Sequence, residues 1–177
     1  MGFKKLSLEE LGRKSVDEFR TAEKMPVVIV LDNVRSMHNV GSVFRSADAF
    51  LVHSICLCGY TPRPPHRDIH KTALGATETV NWEYEADILP LLARLREDGY
   101  ALCAVEQAEG STSLGELQLV AGQKIALIFG NEVEGVQDSV LEQCHLCVEI
   151  PQSGMKHSLN ISVAAGIVLW EVTNKLL

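Results

Sequence analysis

Five runs of apolar residues punctuate the chain, each closed by polar ones: PVVIVLDN, HSICLCGY, YALCAVEQ, KIALIFG and CHLCVEIP. Successive strand side chains alternate faces, so a run apolar at nearly every position suits a strand covered on both sides. TETVNWEY reads as a further, shorter strand. Between the runs the period changes. Val40–Phe50 reads as a helix, and so does Asp87–Asp98, where Ile88, Leu91, Leu92 and Leu95 share one face and Gly99 supplies the stop. The opening stretch is polar with apolar Leu6, Leu8, Leu11, Val16 and Phe19, which predicts an amphipathic helix ending before Pro26. The alternation predicts an α/β fold, a mostly parallel sheet with helices on both faces. Residues 1–25 form a helical extension in this reading, and residues 26–177 the main domain.

The last helix departs from the usual surface pattern. LNISVAAGIVLWEV is apolar on nearly every face, and such a helix needs cover all round. Ala164, Ala165 and Gly166 also permit close approach of another backbone. The expected cover is a second subunit.

Composition narrows the class. A chain of 177 residues, 46% hydrophobic and 22% charged, can bury a core and reads as globular. No apolar run reaches membrane-spanning length, and the charged N-terminus has no signal-like apolar core behind it. A cytoplasmic protein is expected. The five cysteines include the pair Cys144 and Cys147. If CHLCVEIP is a strand, positions three apart face opposite ways, and no second ligand pair stands at metal-site spacing. Small buried hydrophobes are the expected role, with no metal. Net charge is −7, yet it is unevenly spread. Residues 1–71 carry +3, residues 72–150 carry −11 and residues 151–177 carry +1. The mildly basic ends leave a nucleic-acid partner open.

Ligands of parallel sheets bind at the carboxyl ends of strands. Three polar segments fall there. In NVRSMHNVGSVFRSADAF, Asn39 is placed to cap the following helix and Gly41 allows close approach, while Arg45 sits one to two turns in, suited to gripping phosphate. In IALIFGNEVEGV, Gly130 and Gly135 bracket Asn131 and Glu132, without the spacing of a P-loop or a dinucleotide fingerprint. In EIPQSGMKHSLNISVAAGI, a strand ends at Pro151 and Ser158 is placed to cap the final helix. Taken alone, each also fits a plain capped turn. TPRPPHRDIHK, with Arg63, Arg67 and Lys71, reads as a basic loop open to RNA. The N-terminal stretch, with Lys4, Lys5, Arg13, Lys14, Arg20 and Lys24, is a second candidate for RNA contact.

Together the segments N-x-G-x-x-x-R, F-G-N-E-x-x-G and I-P-x-x-G-x-x-x-S-L-N-x-S-V-A-A-G-I resemble, in order and spacing, the three motifs of the TrmH (SpoU) branch of the SPOUT methyltransferases. KTALGATETV also resembles part of that branch, and the likeness covers roughly residues 26–175. Gln152 departs from it, standing where methionine is common. The resemblance implies a C-terminal trefoil knot, an exception to unknotted folds, and a homodimer with S-adenosyl-L-methionine (AdoMet) in the knot. It implies methyl transfer to a ribose 2′-hydroxyl of tRNA or rRNA, and DNA, lacking that group, is not expected. Asn39, Arg45, Ser158 and Asn160 match the family's catalytic positions, and Glu132 is grouped with them. Backbone near Gly130, Ile150 and Leu159 would cradle AdoMet, with Val105–Gln107 beside it. A catalytically silent RNA-binding protein on the same fold is the alternative; a small-molecule enzyme lacks its nucleotide fingerprints here.

Overall fold

The computed structural model describes residues 2–7, 10–12, 14–156 and 158–177. The apolar runs form strands β1 (Met25–Asp32), β2 (Val52–Cys58), β4 (Ala101–Val105), β6 (Ile125–Phe129) and β7 (Leu146–Glu149). With β3 (Asn81–Glu85) and the short β5 (Thr112–Ser113), they make a seven-stranded sheet in the order β3-β2-β1-β6-β4-β7-β5. Every pairing is parallel. The three central strands β1, β6 and β4 bring the carboxyl ends of β1 and β6 side by side.

Alternation along β1 divides the core in two. Val27, Ile29 and Leu31 join one cluster with helices α2 (Met37–Ala49), α3 (Arg67–Ala73), α4 (Ala76–Thr79) and α7 (Ile161–Leu176). Val28 and Val30 join the other, under α5 (Ile88–Glu97) and α6 (Asp138–Leu141). Helices therefore cover both faces, as the periodicity predicts. A buried aliphatic side chain contributes about 1.5–3 kcal/mol, so these two layers dominate stability.

Several boundaries differ from expectation. The N-terminal helix is only α1 (Val16–Thr21), opened by a capping box between Ser15 and Glu18. Phe19 is buried, whereas Leu6, Leu11 and Val16 stay exposed; Leu8 lies outside the described residues. With Leu6 and Leu11 exposed, the described part of the amphipathic pattern has no core to order it. The segment expected as a basic loop turns helical at Arg67, because the His66 imidazole accepts from the Asp68 N–H and Ile69 and Ala73 find the core. TETVNWEY divides into α4 and β3. Gly41 admits backbone rather than ligand: a Cβ there would strike Thr72 and the Ile69 carbonyl of α3.

The cysteine geometry also differs. Cys144 precedes β7, and both Cys144 and Cys147 pack on the α5-side cluster instead of facing apart. Burial pushes the Cys144 thiol up to about 11, so it is protonated at neutral pH. All five cysteines are free thiols. No helix among the described residues is long and apolar enough to cross a membrane.

Candidate functional site

The carboxyl ends of β4, β6 and β7 open into a cavity of about 460 Å³, within the range of small-ligand pockets. Gly130, Glu132, Ile150, Ser158, Leu159 and Asn160 line it, all six singled out from sequence. Val105, Glu106 and Gln107 form another wall, as expected of that strand end. Phe129, Val148 and Ala164 add apolar surface. The described lining includes Glu106, Glu132, Glu134 and Glu149 but no Lys, Arg or His. Such a lining favours a ligand with apolar surface and positive charge.

The loop after β6 is held tightly. Asn131 and Gly135 exchange backbone hydrogen bonds of 3.0 and 2.9 Å, and the Asn131 Oδ1 accepts from the N–H groups of Val133 and Glu134. A Cβ on Gly130 would land on the Gly135 carbonyl, which explains the glycine. Gly135 itself has φ +70°, and a Cβ there would strike the Glu106 carboxylate. Glu106 accepts from the Val136 N–H at 2.9 Å and the Gln107 N–H at 2.8 Å, tying this loop to β4. Nothing local in the sequence signals that role for Glu106; the carboxylate's reach across the sheet is a tertiary fact.

Glu132 organises the opposite rim. Its carboxylate accepts from the Arg35 N–H at 2.8 Å, the Ser36 N–H at 3.0 Å and the Asn39 side-chain amide at 3.0 Å. The Asn39 Oδ1 in turn accepts from the Asn160 Nδ2 at 3.0 Å. Burial would raise the Glu132 carboxyl, but the three donors outweigh it and hold it below the ordinary carboxylate range. At neutral pH it is an ionised acceptor, engaged on both oxygens.

Both caps are corrected. Ser36, not Asn39, caps α2: its hydroxyl accepts from the Asn39 N–H at 3.2 Å. Asn39 therefore sits inside the first turn, and its side chain faces Glu132. Asn160, not Ser158, caps α7, accepting from the Ser162 N–H at 2.9 Å. Ser158 is left on the cavity wall.

Arg45 stands apart. It is exposed on α2, outside the cavity lining, and makes no ion pair among the described residues. Arg63, Arg67 and Lys71 are likewise exposed, with the Arg63 guanidinium stacked 4.1 Å over the Tyr84 ring. The stripe of α7 that lacks cover includes Val163, Ile167 and Trp170, the last 60% exposed.

Comparison with known proteins identifies a family. The SpoU rRNA Methylase family matches residues 26–170. A 23S rRNA (guanosine-2′-O-)-methyltransferase of Pasteurella multocida is 30% identical over 96% of this chain and 68% of its own. The protein of the same name from Nitrosomonas europaea is 34% identical over 82% of this chain and 55% of its own. The AdoMet-bound rRNA methyltransferase structure from Sinorhizobium meliloti superposes with a TM-score of 0.81 at 27% identity, covering 90% of this chain and 60% of that one. The chain thus spans roughly half to two thirds of the length of these relatives.

Proposed function

We propose, for a chain that belongs to the SpoU rRNA Methylase family, that it transfers the methyl group of AdoMet to a ribose 2′-hydroxyl of tRNA or rRNA. The observation that carries this is the Glu132–Asn39–Asn160 chain of hydrogen bonds along the rim of an acidic, partly apolar cavity. AdoMet fits that lining: its sulfonium and ammonium suit the glutamates, and its adenine suits Phe129, Val148 and Ile150. Gly130, Ile150 and Leu159 would hold it, supplying an already activated methyl group. The protein's task is then orientation of the acceptor.

Asn39 and Asn160 fit that task. Their amides are fixed by Glu132 and by the start of α7, so they present set polar atoms beside the cavity. Glu132 acts by holding Asn39, since its oxygens are engaged and its affinity for a proton is lowered. Ser158 would contact the ribose from the cavity wall. Arg45 would clamp a substrate phosphate through its guanidinium, and Arg63, Arg67 and Lys71 would contact flanking RNA. We assign residues 26–177 to the methyltransferase domain, residues 1–25 to an extension, and the link from β7 to α7 to the family's knot, in a cytoplasmic protein.

The apolar stripe of α7 supports a homodimer. Val163, Ile167 and Trp170 are exposed along it, Trp170 meets Phe50 edge-on at 6.4 Å, and α2 packs beside α7. A dimer across this face would bring Arg45, on α2, to a shared site. Trp170→Glu should shift the molecule to monomer in light scattering.

The deciding experiment incubates the protein with labelled AdoMet and total RNA and maps the labelled nucleotide. Label on a ribose 2′-oxygen is expected. Label on a base overturns the reading. AdoMet binding with no transfer into any RNA favours the silent RNA-binding alternative.

A further inference from the structure

Tyr60 follows β2 at the same carboxyl edge that carries the cavity, and the family motifs do not include it. Its ring is 59% exposed, yet its surroundings are unusually well tied. The Tyr60 N–H donates to the Asn33 Oδ1 at 3.2 Å. The next residue, Thr61, is buried; its hydroxyl donates to the Leu31 carbonyl at 2.9 Å and accepts from the Val34 N–H at 3.0 Å. On the other side, a Cβ at Gly59 would strike the Asn33 side chain, so the chain passes there only as glycine. The phenol oxygen accepts from the Asn131 Nδ2 at 2.7 Å, and the same Nδ2 donates to the Asn33 carbonyl at 2.8 Å. Asn131 is part of the cavity wall.

The ring is thus clamped at both ends, backbone and hydroxyl, while its face stays in water. Two side-chain torsions are already fixed, so docking a flat partner against it costs little entropy. Two exposed arginines stand close in sequence, Arg35 two residues after Asn33 and Arg63 three residues after Tyr60. An exposed, immobilised aromatic suits an unpaired nucleobase, which stacks on such rings.

We propose that Tyr60 is a substrate-positioning residue, a stacking platform for a base of the RNA whose ribose enters the site. This rests on the RNA-methyltransferase reading above.

The test compares Tyr60→Leu, which keeps bulk without an aromatic face, with Tyr60→Phe, which keeps the face without the hydroxyl. Three quantities are read on the full chain: filter binding of labelled total RNA, the KM for that RNA in methyl transfer, and the AdoMet Kd by calorimetry. Tyr60→Leu should weaken RNA binding and raise KM roughly ten- to a hundredfold, with the AdoMet Kd within about twofold. Tyr60→Phe should stay within about threefold of wild type. Unchanged RNA binding in Tyr60→Leu overturns the proposal. So does an equal loss of AdoMet affinity in both variants, which would make Tyr60 a brace for Asn131, or a changed oligomeric state in light scattering. If wild type binds RNA but transfers no methyl group, the enzymatic reading fails while the binding comparison still decides Tyr60.

Discussion

The Glu132–Asn39–Asn160 centre and the exposed cations of α2, α3 and the loop after β2 are built on opposite principles. The centre is closed: partners 93 and 121 residues apart meet within hydrogen-bond distance, and each polar atom has its place before any ligand arrives. Arg45, Arg63, Arg67 and Lys71 are open, standing exposed on α2, on the loop after β2 and on α3. Preorganisation suits the atoms that must be placed precisely against the reacting methyl. Solvated cations suit a polyanion, whose counterions they displace on binding. Arg45 lies on the boundary, since the motif resemblance implies a catalytic position for it while the single chain leaves it with the solvated group.

That ambiguity can be broken by mutation. Arg45→Ala should lower methyl transfer about 100- to 1000-fold, the scale of a lost charge-stabilising group, with the AdoMet Kd unchanged by calorimetry. Lost AdoMet affinity would move Arg45 into the cofactor site instead. The double reversal Arg63→Glu with Arg67→Glu should weaken RNA binding about ten- to a hundredfold and flatten the log–log salt slope by about two or more. An unaltered slope would take α3 and its loop out of the RNA surface.

The closed region is tested by smaller effects. Gly130→Ala forces the loop off the Gly135 carbonyl, at a cost of about 1–3 kcal/mol. Calorimetry should show AdoMet binding weakened about tenfold, with RNA binding retained. Glu132→Gln should destabilise the fold by about 1 kcal/mol at neutral pH. Because the folded carboxyl is held below its ordinary value, the stabilisation is present above the unfolded pKa and is lost as pH falls through the folded one. Thermal midpoints of the two proteins should therefore converge as pH falls below the ordinary carboxylate range. A gap that persists once the carboxylates are protonated would assign the effect to shape rather than charge.

Most of the sheet was legible because its strands are nearly all apolar, and alternation sends their residues into two cores whatever the connection between them. The helix starts were less so. Ser36 and Asn39 are both good caps, as are Ser158 and Asn160, and composition does not choose between neighbours. Glu132 chose for α2: by accepting the N–H groups of Arg35 and Ser36, it fixes where that helix begins. Pro64 and Pro65 point to a loop at Arg67, while the burial of Ile69 and Ala73 that makes α3 is a long-range event. Tyr60 carried only a weak signal, an aromatic before a basic segment.

By itself, then, the sequence determined the two-layered α/β frame and which residues would carry chemistry, since periodicity and short polar segments act locally. Only the tertiary structure decided which of them touch. It joined Asn39, Glu132 and Asn160 into one chain, clamped Tyr60 through Asn131, and left Arg45 outside. The physical reason is that hydrogen bonds across about a hundred residues form only once the parallel strands bring their carboxyl ends to one edge.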